Sequence, residues 1–377
     1  MKPTVKLLVL TLTLTVTALT AAAQTTARDF YEKGKSEDKK GDFTAAREDF
    51  KKAYDLDPQS LPPDLAEVLV KMKAKDAPGA FQALNTAIKA HPDDAYFYFI
   101  RAVIGYAPGG ADVGTTTPMA DLAKVIELVP GSPDPFIIRS ALLLVSGDLD
   151  GCIADSTKAI GLGATLDPQG LSLAFENRGK AFMGKKDYDR AAADFSRAVE
   201  IDPKNAQYYL DRAGARLSKD DQKGTIEDYS KAIEIDPTNF QTYLNRGLIR
   251  NSTQDYTGGI SDLTKAIEIG PKNPQVPFAY FNRGISKIAK ENYAGAIADF
   301  TAALGLDPKY ADAYEGRGVV RGLTNDADGS IADLTRSIEL DPDNPGHYQH
   351  RAEQYRSMNK IDLAIADEKR AAALKKK

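Results

Sequence analysis

The sequence predicts an all-α protein, a solenoid of about ten antiparallel helix pairs. A phrase of 34 residues recurs along the chain and ends in Asp-Pro at residues 202–203, 236–237 and 341–342. Each copy holds two segments in which apolar or small residues recur at steps of three and four, the period of an amphipathic helix. A composition of 42% hydrophobic and 27% charged residues agrees with a folded chain.

Residues 1–23 have the pattern of a secretory signal peptide. Lys2 and Lys6 precede an uncharged apolar stretch at residues 7–20, and the small residues Ala21 and Ala23 suit a signal peptidase. The stretch is too short to span a bilayer comfortably. We therefore expect cleavage after Ala23, export to a periplasm or to the medium, and no stable membrane span in the mature chain. A retained N-terminal anchor is the alternative.

The 34-residue period places ten repeats on the rest of the chain. The first four are divergent and form an N-terminal array at 24–166, whereas the last six are regular and form a C-terminal array at 172–377. Insertions interrupt the period at residues 107–117, 167–171 and 274–276; the first is either a binding loop or a tolerated surface loop. In order, the repeats span residues 27–60, 61–94, 95–132, 133–166, 172–205, 206–239, 240–273, 277–310, 311–344 and 345–377.

Helix ends follow from local chemistry. A turn such as Gly41-Asp42 or Lys186-Asp187 separates the two helices of a repeat, which in repeat 5 are predicted at 175–184 and 189–201. The Asp-Pro pair stops the second helix, because proline lacks an amide donor and disfavours helical geometry in its predecessor. Polar residues then stand where N-caps of the next helix belong: Ser60, Asp94, Asn205, Asn239, Asn273 and Asn344.

The repeat resembles the tetratricopeptide repeat. We number the places of each repeat from its first residue. Small residues stand at places eight, twenty and twenty-seven, an aromatic residue or leucine stands at place twenty-four, and proline stands at place thirty-two. This resemblance implies a right-handed superhelix whose first helices line a concave groove, and a function in binding other proteins. Nine repeats carry an aromatic residue at the fourth place: Phe30, Tyr98, Phe136, Phe175, Tyr209, Tyr243, Tyr280, Tyr314 and Tyr348.

Arginine at the seventh place, where the family prefers leucine, is matched by aspartate at the twenty-third place. Repeat 2 has Glu67 and Ala83 there and so loses both partners together, which indicates pairing within each repeat. We expect a partly buried ion pair that fixes the register of each helix hairpin. The regular repeats contribute Arg178 with Asp194, Arg212 with Asp228, Arg246 with Asp262, Arg283 with Asp299, and Arg317 with Asp333.

Four places of each first helix face the groove in the family: the second, fifth, ninth and twelfth. An apolar lining open to solvent predicts a site for a partner segment or a second copy of the chain. A tightly wound superhelix that buries these side chains against its own neighbours is the alternative. Repeat 8 supplies Phe278, Phe281, Ile285 and Ile288, and repeats 2 to 4 supply Leu65, Leu69, Phe99, Val103, Ile137 and Leu144.

A basic stripe occupies the eleventh place of repeats 6 to 9, with Arg216, Arg250, Lys287 and Arg321. Four cations in line attract an acidic partner or an anionic glycan, unless aspartates of the chain neutralise them. A carboxylate clamp of the family type is not predicted, because the ninth place never holds the asparagine that such clamps use. Asn177, Asn245 and Asn282 do retain the sixth-place asparagine that such clamps also use.

Composition and motifs argue against catalysis. The single cysteine, Cys152, excludes an internal disulfide and multi-cysteine metal sites, and its twentieth-place position predicts a buried thiol. No nucleotide-binding loop or hydrolase motif is present. His347 and His350, near Glu353, are expected to be solvated rather than to hold a metal. The 49 basic and 53 acidic residues nearly balance, which disfavours nucleic acid as a partner.

These observations predict an exported, non-enzymatic scaffold, without cofactor or metal, that binds a protein or peptide through its groove. Two alternatives are a subunit or regulator of an envelope enzyme or assembly complex, and a self-associating structural array. The last helix, from residue 361 to 375, is expected to close the array with a polar outer face that includes Glu368.

Overall fold

The computed structural model describes residues 26–106, 118–163 and 168–375. These residues form twenty α-helices and one short 3₁₀ turn, with no strand, and consecutive helices pack in pairs. The fold is therefore the all-α solenoid that the repeats predict. None of the helices in these ranges is long and apolar enough to cross a membrane. The predicted signal peptide and the insertion at 107–117 lie outside the described residues.

The helices follow the repeats in order, two to each. The 3₁₀ turn, Pro58–Ser60, lies between the first two pairs. The helices are α1 Ala27–Lys40, α2 Phe43–Leu56, α3 Pro63–Lys73, α4 Ala77–Ala90, α5 Ala95–Tyr106, α6 Pro118–Leu128, α7 Asp134–Ser146, α8 Leu149–Gly161, α9 Pro168–Gly184, α10 Tyr188–Ile201, α11 Ala206–Ser218, α12 Gln222–Ile235, α13 Phe240–Ser252, α14 Tyr256–Ile269, α15 Val276–Ala289, α16 Tyr293–Leu306, α17 Ala311–Leu323, α18 Ala327–Leu340, α19 Pro345–Ser357 and α20 Ile361–Leu374.

The turn inside each repeat is built by side-chain capping. An aspartate such as Asp187 or Asp255 accepts a hydrogen bond from the backbone N–H three residues later and so begins the second helix. The residue before that cap has a positive φ, as Gly41 does at 79°. Side-chain caps also begin first helices at Asn205, Asn239 and Asn344, as predicted.

Three expected helix starts differ. The predicted caps Ser60 and Asn273 are wrong, because Pro62 and Gln275 immediately precede α3 and α15. Helix α9 starts at Pro168 rather than near Phe175, since the described end of the insertion at 167–171 joins the helix. Proline at a first helical position is favourable because its missing N–H has no partner there in any case.

The chain divides into two compact halves, one up to Asp202 and one from Pro203. In both, residues at the twenty-fourth place form the repeat cores: Phe195, Phe300 and Leu334 are at most 1% exposed. The eighth place must be small because a Cβ at Gly284 would lie 2.8 Å from the Phe300 ring. This close approach explains why glycine recurs there.

The outer face of α20 is less polar than predicted. Glu368 is ion-paired with Arg356 at 2.7 Å, but Ile361, Leu363 and Ile365 are 42%, 49% and 37% exposed. In repeat 8 the side chains at the places of Ile361 and Ile365 are Tyr293 and Ile297, and both join the core around Phe300 and Val320 of the next repeat. No helix covers this face of α20 within the described residues, so the expectation of a polar cap is wrong in this respect.

Candidate protein-binding surface

Each hairpin is held by a bidentate ion pair between its two helices. Arg246 donates from Nε and Nη2 to the carboxylate of Asp262, at 2.9 and 2.6 Å. The same contact joins the other expected partners, with Nη2–Oδ1 distances of 2.7 to 2.8 Å and aspartates that are 1% to 5% exposed. These pairs are Arg178–Asp194, Arg212–Asp228, Arg283–Asp299 and Arg317–Asp333.

The third nitrogen of several of these arginines links neighbouring repeats. Nη1 of Arg246 donates to the hydroxyl of Ser230 at 2.9 Å, and Nη1 of Arg283 donates to Thr264 at the same distance. Both hydroxyls occupy the twenty-fifth place of the preceding repeat. This bond is not among the contacts predicted above, although a hydroxyl residue recurs at that place in repeats 4 to 9.

The basic stripe is neutralised within the chain. Each cation of the stripe forms an ion pair with the same aspartate that the seventh-place arginine of its repeat binds. Each of these aspartates therefore has two cationic partners. The stripe is therefore part of the hairpin framework. The contacts are Arg216–Asp228 at 3.0 Å, Arg250–Asp262 at 2.9 Å, Lys287–Asp299 at 2.7 Å and Arg321–Asp333 at 2.7 Å.

The apolar lining predicted in repeats 2 to 4 is closed. Phe99 and Ile137 are 3% and 8% exposed, Leu65 and Leu69 are also buried, and Val103 is half-buried. These side chains form part of the cores of the N-terminal half. The expectation that they line an open groove is therefore wrong.

The first repeat contributes to this closure, because its turn packs against residues of repeats 3 and 4. Phe43 stacks on Phe99 with ring centroids 4.8 Å apart. The Ser132 hydroxyl donates to the carbonyl of Gly41, and both the amide and hydroxyl of Thr44 donate to Asp134 at 3.0 Å. The alternative of a tightly wound array holds here.

The lining of repeat 8 is open. Phe278 and Ile285 are 40% and 41% exposed and lie two helical turns apart on α15. Phe281 lies between them and contacts Phe300 and Tyr310, with centroids 5.7 and 5.1 Å away. We call Phe278, Phe281, Ile285 and the half-buried Ile288 the α15 face. Helices α13, α15, α17 and α19 contact in succession, so this face belongs to a continuous row of first helices.

A histidine–carboxylate cluster connects α17 to α19. Glu315 Oε1 lies 2.7 Å from His350 Nδ1 and 3.1 Å from His347 Nδ1, although the latter contact lacks hydrogen-bond alignment. His347 is fully buried, so the expectation of two solvated histidines is wrong for this residue. Burial opposes ionisation of Glu315, but its contacts with the two histidines lower its pKa to about 2. No group of three metal ligands occurs among the described residues.

This cluster predicts a pH-dependent contact between the last two repeats. The hydrogen bond to Glu315 raises the pKa of His350, so its contribution is present below the unfolded value of 6.5 and is lost as pH rises through the folded value. Glu315 contributes above its unfolded value of 4.5 and loses its contribution as pH falls towards about 2. Protection of α19 amides in hydrogen exchange, relative to intrinsic exchange, should therefore fall as the pH rises above 6.5 and through the raised pKa of His350.

Glu315→Gln should remove most of that pH dependence, whereas Asp362→Asn, an exposed change on α20, should retain it. Equal pH profiles for all three proteins would contradict the assignment.

Cys152 is fully buried, with Sγ 3.5 Å from the Asn177 carbonyl. Burial raises the pKa of the thiol to about 11, so little thiolate forms at neutral pH. Asn177 is buried too, and its amide donates to the Ser140 hydroxyl at 2.9 Å. Asn177 therefore lies inside the N-terminal half and not on its surface.

Family models of the tetratricopeptide repeat match residues 30–60, 172–205 and 281–345. The chain is a tetratricopeptide repeat protein. The match at 172–205 coincides with repeat 5, and the match at 30–60 ends with repeat 1, so the family models share the register of the helix pairs. The family is one of protein-interaction scaffolds, and protein is the class of partner that this fold indicates.

Several solved structures are similar to this chain at low sequence identity. A tetratricopeptide repeat protein from Parabacteroides merdae is 18% identical over 64% of this chain and 93% of its own, with a TM-score of 0.47. PilW, described as a type IV pilus biogenesis factor, is 18% identical over 54% and 93%, with a TM-score of 0.46. MamA from Desulfovibrio magneticus RS-1 is 15% identical over 45% and 95%, with a TM-score of 0.43. No curated protein sequence matches.

Proposed function

We propose that this protein is an exported, non-enzymatic scaffold that binds a segment of a partner protein on the α15 face. The observation that carries the proposal is the exposure of Phe278 and Ile285 on a row of first helices whose other large apolar residues are mostly covered. Solvent-facing apolar side chains at helical spacing are typical of interaction sites. The pattern of residues 1–23 supports export to a periplasm or to the medium.

The surroundings of the α15 face suit an apolar segment. Phe281 is held by Phe300 and Tyr310, so the floor between the two exposed side chains is rigid. At the ninth place of the adjoining repeats, Leu248 and Val319 are half-buried and extend the apolar surface on both sides. A partner segment would place apolar side chains on this surface and leave its polar groups towards water.

A comparative pull-down from the native envelope tests the proposal. The bait proteins are residues 24–377, the double variant Phe278→Asp/Ile285→Asp, and a matched control, Leu56→Asp/Leu306→Asp. The control changes two second-helix residues that are 58% and 55% exposed. A partner should be lost from the first variant by at least about tenfold and retained by the control. Equal capture by all three would contradict use of the α15 face, and catalytic turnover by the purified chain would contradict a scaffold role.

Self-association is a second candidate function, and the uncovered apolar side chains of α20 favour it. Ile361 and Ile365 occupy places that interior repeats cover with the next helix pair. If α20 binds a second copy, Ile361→Glu/Ile365→Glu should convert a dimer into a monomer in sedimentation experiments. A chain that is monomeric without the substitutions would exclude this function.

A further inference from the structure

Helix α20 lacks the cover that other second helices of the C-terminal half have. Helices α12, α14, α16 and α18 each pack against the first helix of the next repeat. Within the described residues no helix follows α20, and Ile361 and Ile365 are 42% and 37% exposed. The surface of α20 therefore has the position of an interface between repeats without the second half of that interface.

The exposed side of α20 combines apolar side chains with one acidic and one basic group. Ile361, Ile365 and Ala372 recur at helical spacing and form one exposed stripe. Asp362 and Lys369 are about two helical turns apart, which places both on the same edge of that stripe. Both are exposed, and neither forms an ion pair among the described residues. A surface that covers this stripe must therefore be apolar and carry opposite charges at its edge.

The first repeat of a second copy fits α20 poorly. Among the described residues, α1 exposes no large apolar side chain that could cover the isoleucines. Between repeats, a hydroxyl at the twenty-fifth place accepts from the seventh-place arginine, as Thr335 does from Arg351 at 3.1 Å. In repeat 10 the twenty-fifth place holds Lys369, and repeat 1 has Lys33 at the seventh place. End-to-end stacking of two copies would therefore bring two cations together.

A second α20 supplies both the apolar cover and the charges. Building on the self-association suggested above, we propose that two copies of the chain pair through α20, antiparallel, about a two-fold axis close to Ile365. Such an axis sets each edge of one helix against the same edge of the other and reverses its direction. Asp362 precedes Ile365 by three residues and Lys369 follows it by four, so Asp362 of each copy faces Lys369 of the other. The contact therefore contains two pairs of opposite charge.

Charge also selects the orientation. A parallel pair would place the two aspartates together at one end of the helices and the two lysines at the other, which like-charge repulsion disfavours. The opposite edge of the stripe adds no unpaired charge, because Glu368 is paired with Arg356 of its own chain at 2.7 Å. Helix α20 has 14 residues, a length of about 21 Å, so the contact is small and the dimer is weak and reversible. Because both copies use the same surface, association stops at the dimer.

Sedimentation equilibrium of residues 24–377 over a range of concentrations tests this pairing. The unmodified chain should show a monomer–dimer equilibrium. Asp362→Lys and Lys369→Asp each create two like-charge pairs and should weaken the dimer by at least about tenfold. An equimolar mixture of these two variants should dimerise again, because each charged position then meets its opposite in the other variant. Asp328→Lys is the matched control, since it changes an exposed first-turn aspartate at the same place of α18 and should leave the dimer unchanged.

Cysteine cross-linking tests the orientation of the two helices. Cys152 does not interfere, because it is fully buried. In an oxidised mixture, Asp362→Cys and Lys369→Cys should form a disulfide between copies, whereas Asp362→Cys alone should not. A disulfide formed by Asp362→Cys alone would indicate a parallel pair and overturn the proposal.

Failure of this pairing is distinguishable from failure of self-association. A monomeric unmodified chain would exclude both. A dimer that Ile361→Glu/Ile365→Glu breaks, but that Asp362→Lys and Lys369→Asp leave intact, would keep α20 as the contact and overturn the antiparallel pairing. A dimer that survives all of these changes would use another surface and would overturn both. Phe278→Asp/Ile285→Asp should dimerise like the unmodified chain, so the test does not depend on the α15 face.

Discussion

Replacing Asp262 by alanine is expected to lower the free energy of unfolding of the C-terminal half by about 3 to 5 kcal/mol. Asp262 is 2% exposed and accepts hydrogen bonds from both Arg246 and Arg250. Its removal leaves two cations in a largely desolvated site without their shared acceptor, so the uncompensated charge dominates the effect. Urea unfolding followed by far-UV circular dichroism measures the change.

Replacing the seventh-place arginine by alanine should lower the free energy of unfolding less in repeat 7 than in repeat 4. In Arg246→Ala, Arg250 still neutralises Asp262, and we expect a loss of about 1 to 2 kcal/mol. Arg139 has the same contact to Asp155, at 2.6 Å, but Leu143 stands where a second cation would be, so Arg139→Ala should cost more.

The joint replacement Arg139→Met/Asp155→Leu should recover much of the stability that either single change in repeat 4 removes, because no charge is left unpaired. Arg336→Ala serves as a surface control for the arginine changes, since its pair with Glu339 is about half-exposed and should contribute less than about 1 kcal/mol. Losses below about 0.5 kcal/mol for both Asp262→Ala and Arg139→Ala would show that these pairs behave as surface contacts.

The hairpin framework could be predicted because it repeats. Eight arginines and eight aspartates at fixed places, with the joint loss at Glu67 and Ala83, define the pairing without any coordinates. The sequence also shows the second cation as a stripe with two interpretations, and the distances to Asp262 and its equivalents decide between them. The hydroxyl partners could not be predicted because a serine or threonine on a helix is usually solvated. The bidentate pair with aspartate uses Nε and Nη2 of the arginine, and the sequence does not show which group Nη1 binds.

Features that occur once could not be predicted in the same way. The closure of the N-terminal lining depends on Gly41 and Phe43 contacting residues that lie in repeat 3, and a contact that occurs once leaves no period in the sequence. His347 is buried because it packs at the junction of the last two repeats beside Glu315.

Truncation of Phe300 to alanine is the second large effect that we expect, a loss of about 3 to 5 kcal/mol of stability. Phe300 is fully buried, and a Cβ at Gly284 or Gly316 would lie 2.8 Å from its ring, so it fills the space between two first helices. Those glycines cannot move inward to fill the cavity without shifting their helices. Leu306→Ala, on the same helix but 55% exposed, should change stability by less than about 0.5 kcal/mol.

Phe300→Ala should also weaken the binding of a partner to the α15 face, although it leaves the exposed side chains of Phe278 and Ile285 unchanged. Phe281 packs against Phe300 with ring centroids 5.7 Å apart. Loss of the Phe300 ring therefore leaves Phe281, which lies between Phe278 and Ile285, without this packing partner. Phe300→Leu keeps most of the volume and should retain both stability and binding better than Phe300→Ala. Chemical unfolding and partner titration on the two variants measure the effects together. An alanine variant that unfolds like the unmodified protein would show that this core can collapse around the lost ring, and unchanged partner affinity would show that the partner does not depend on the floor beneath it.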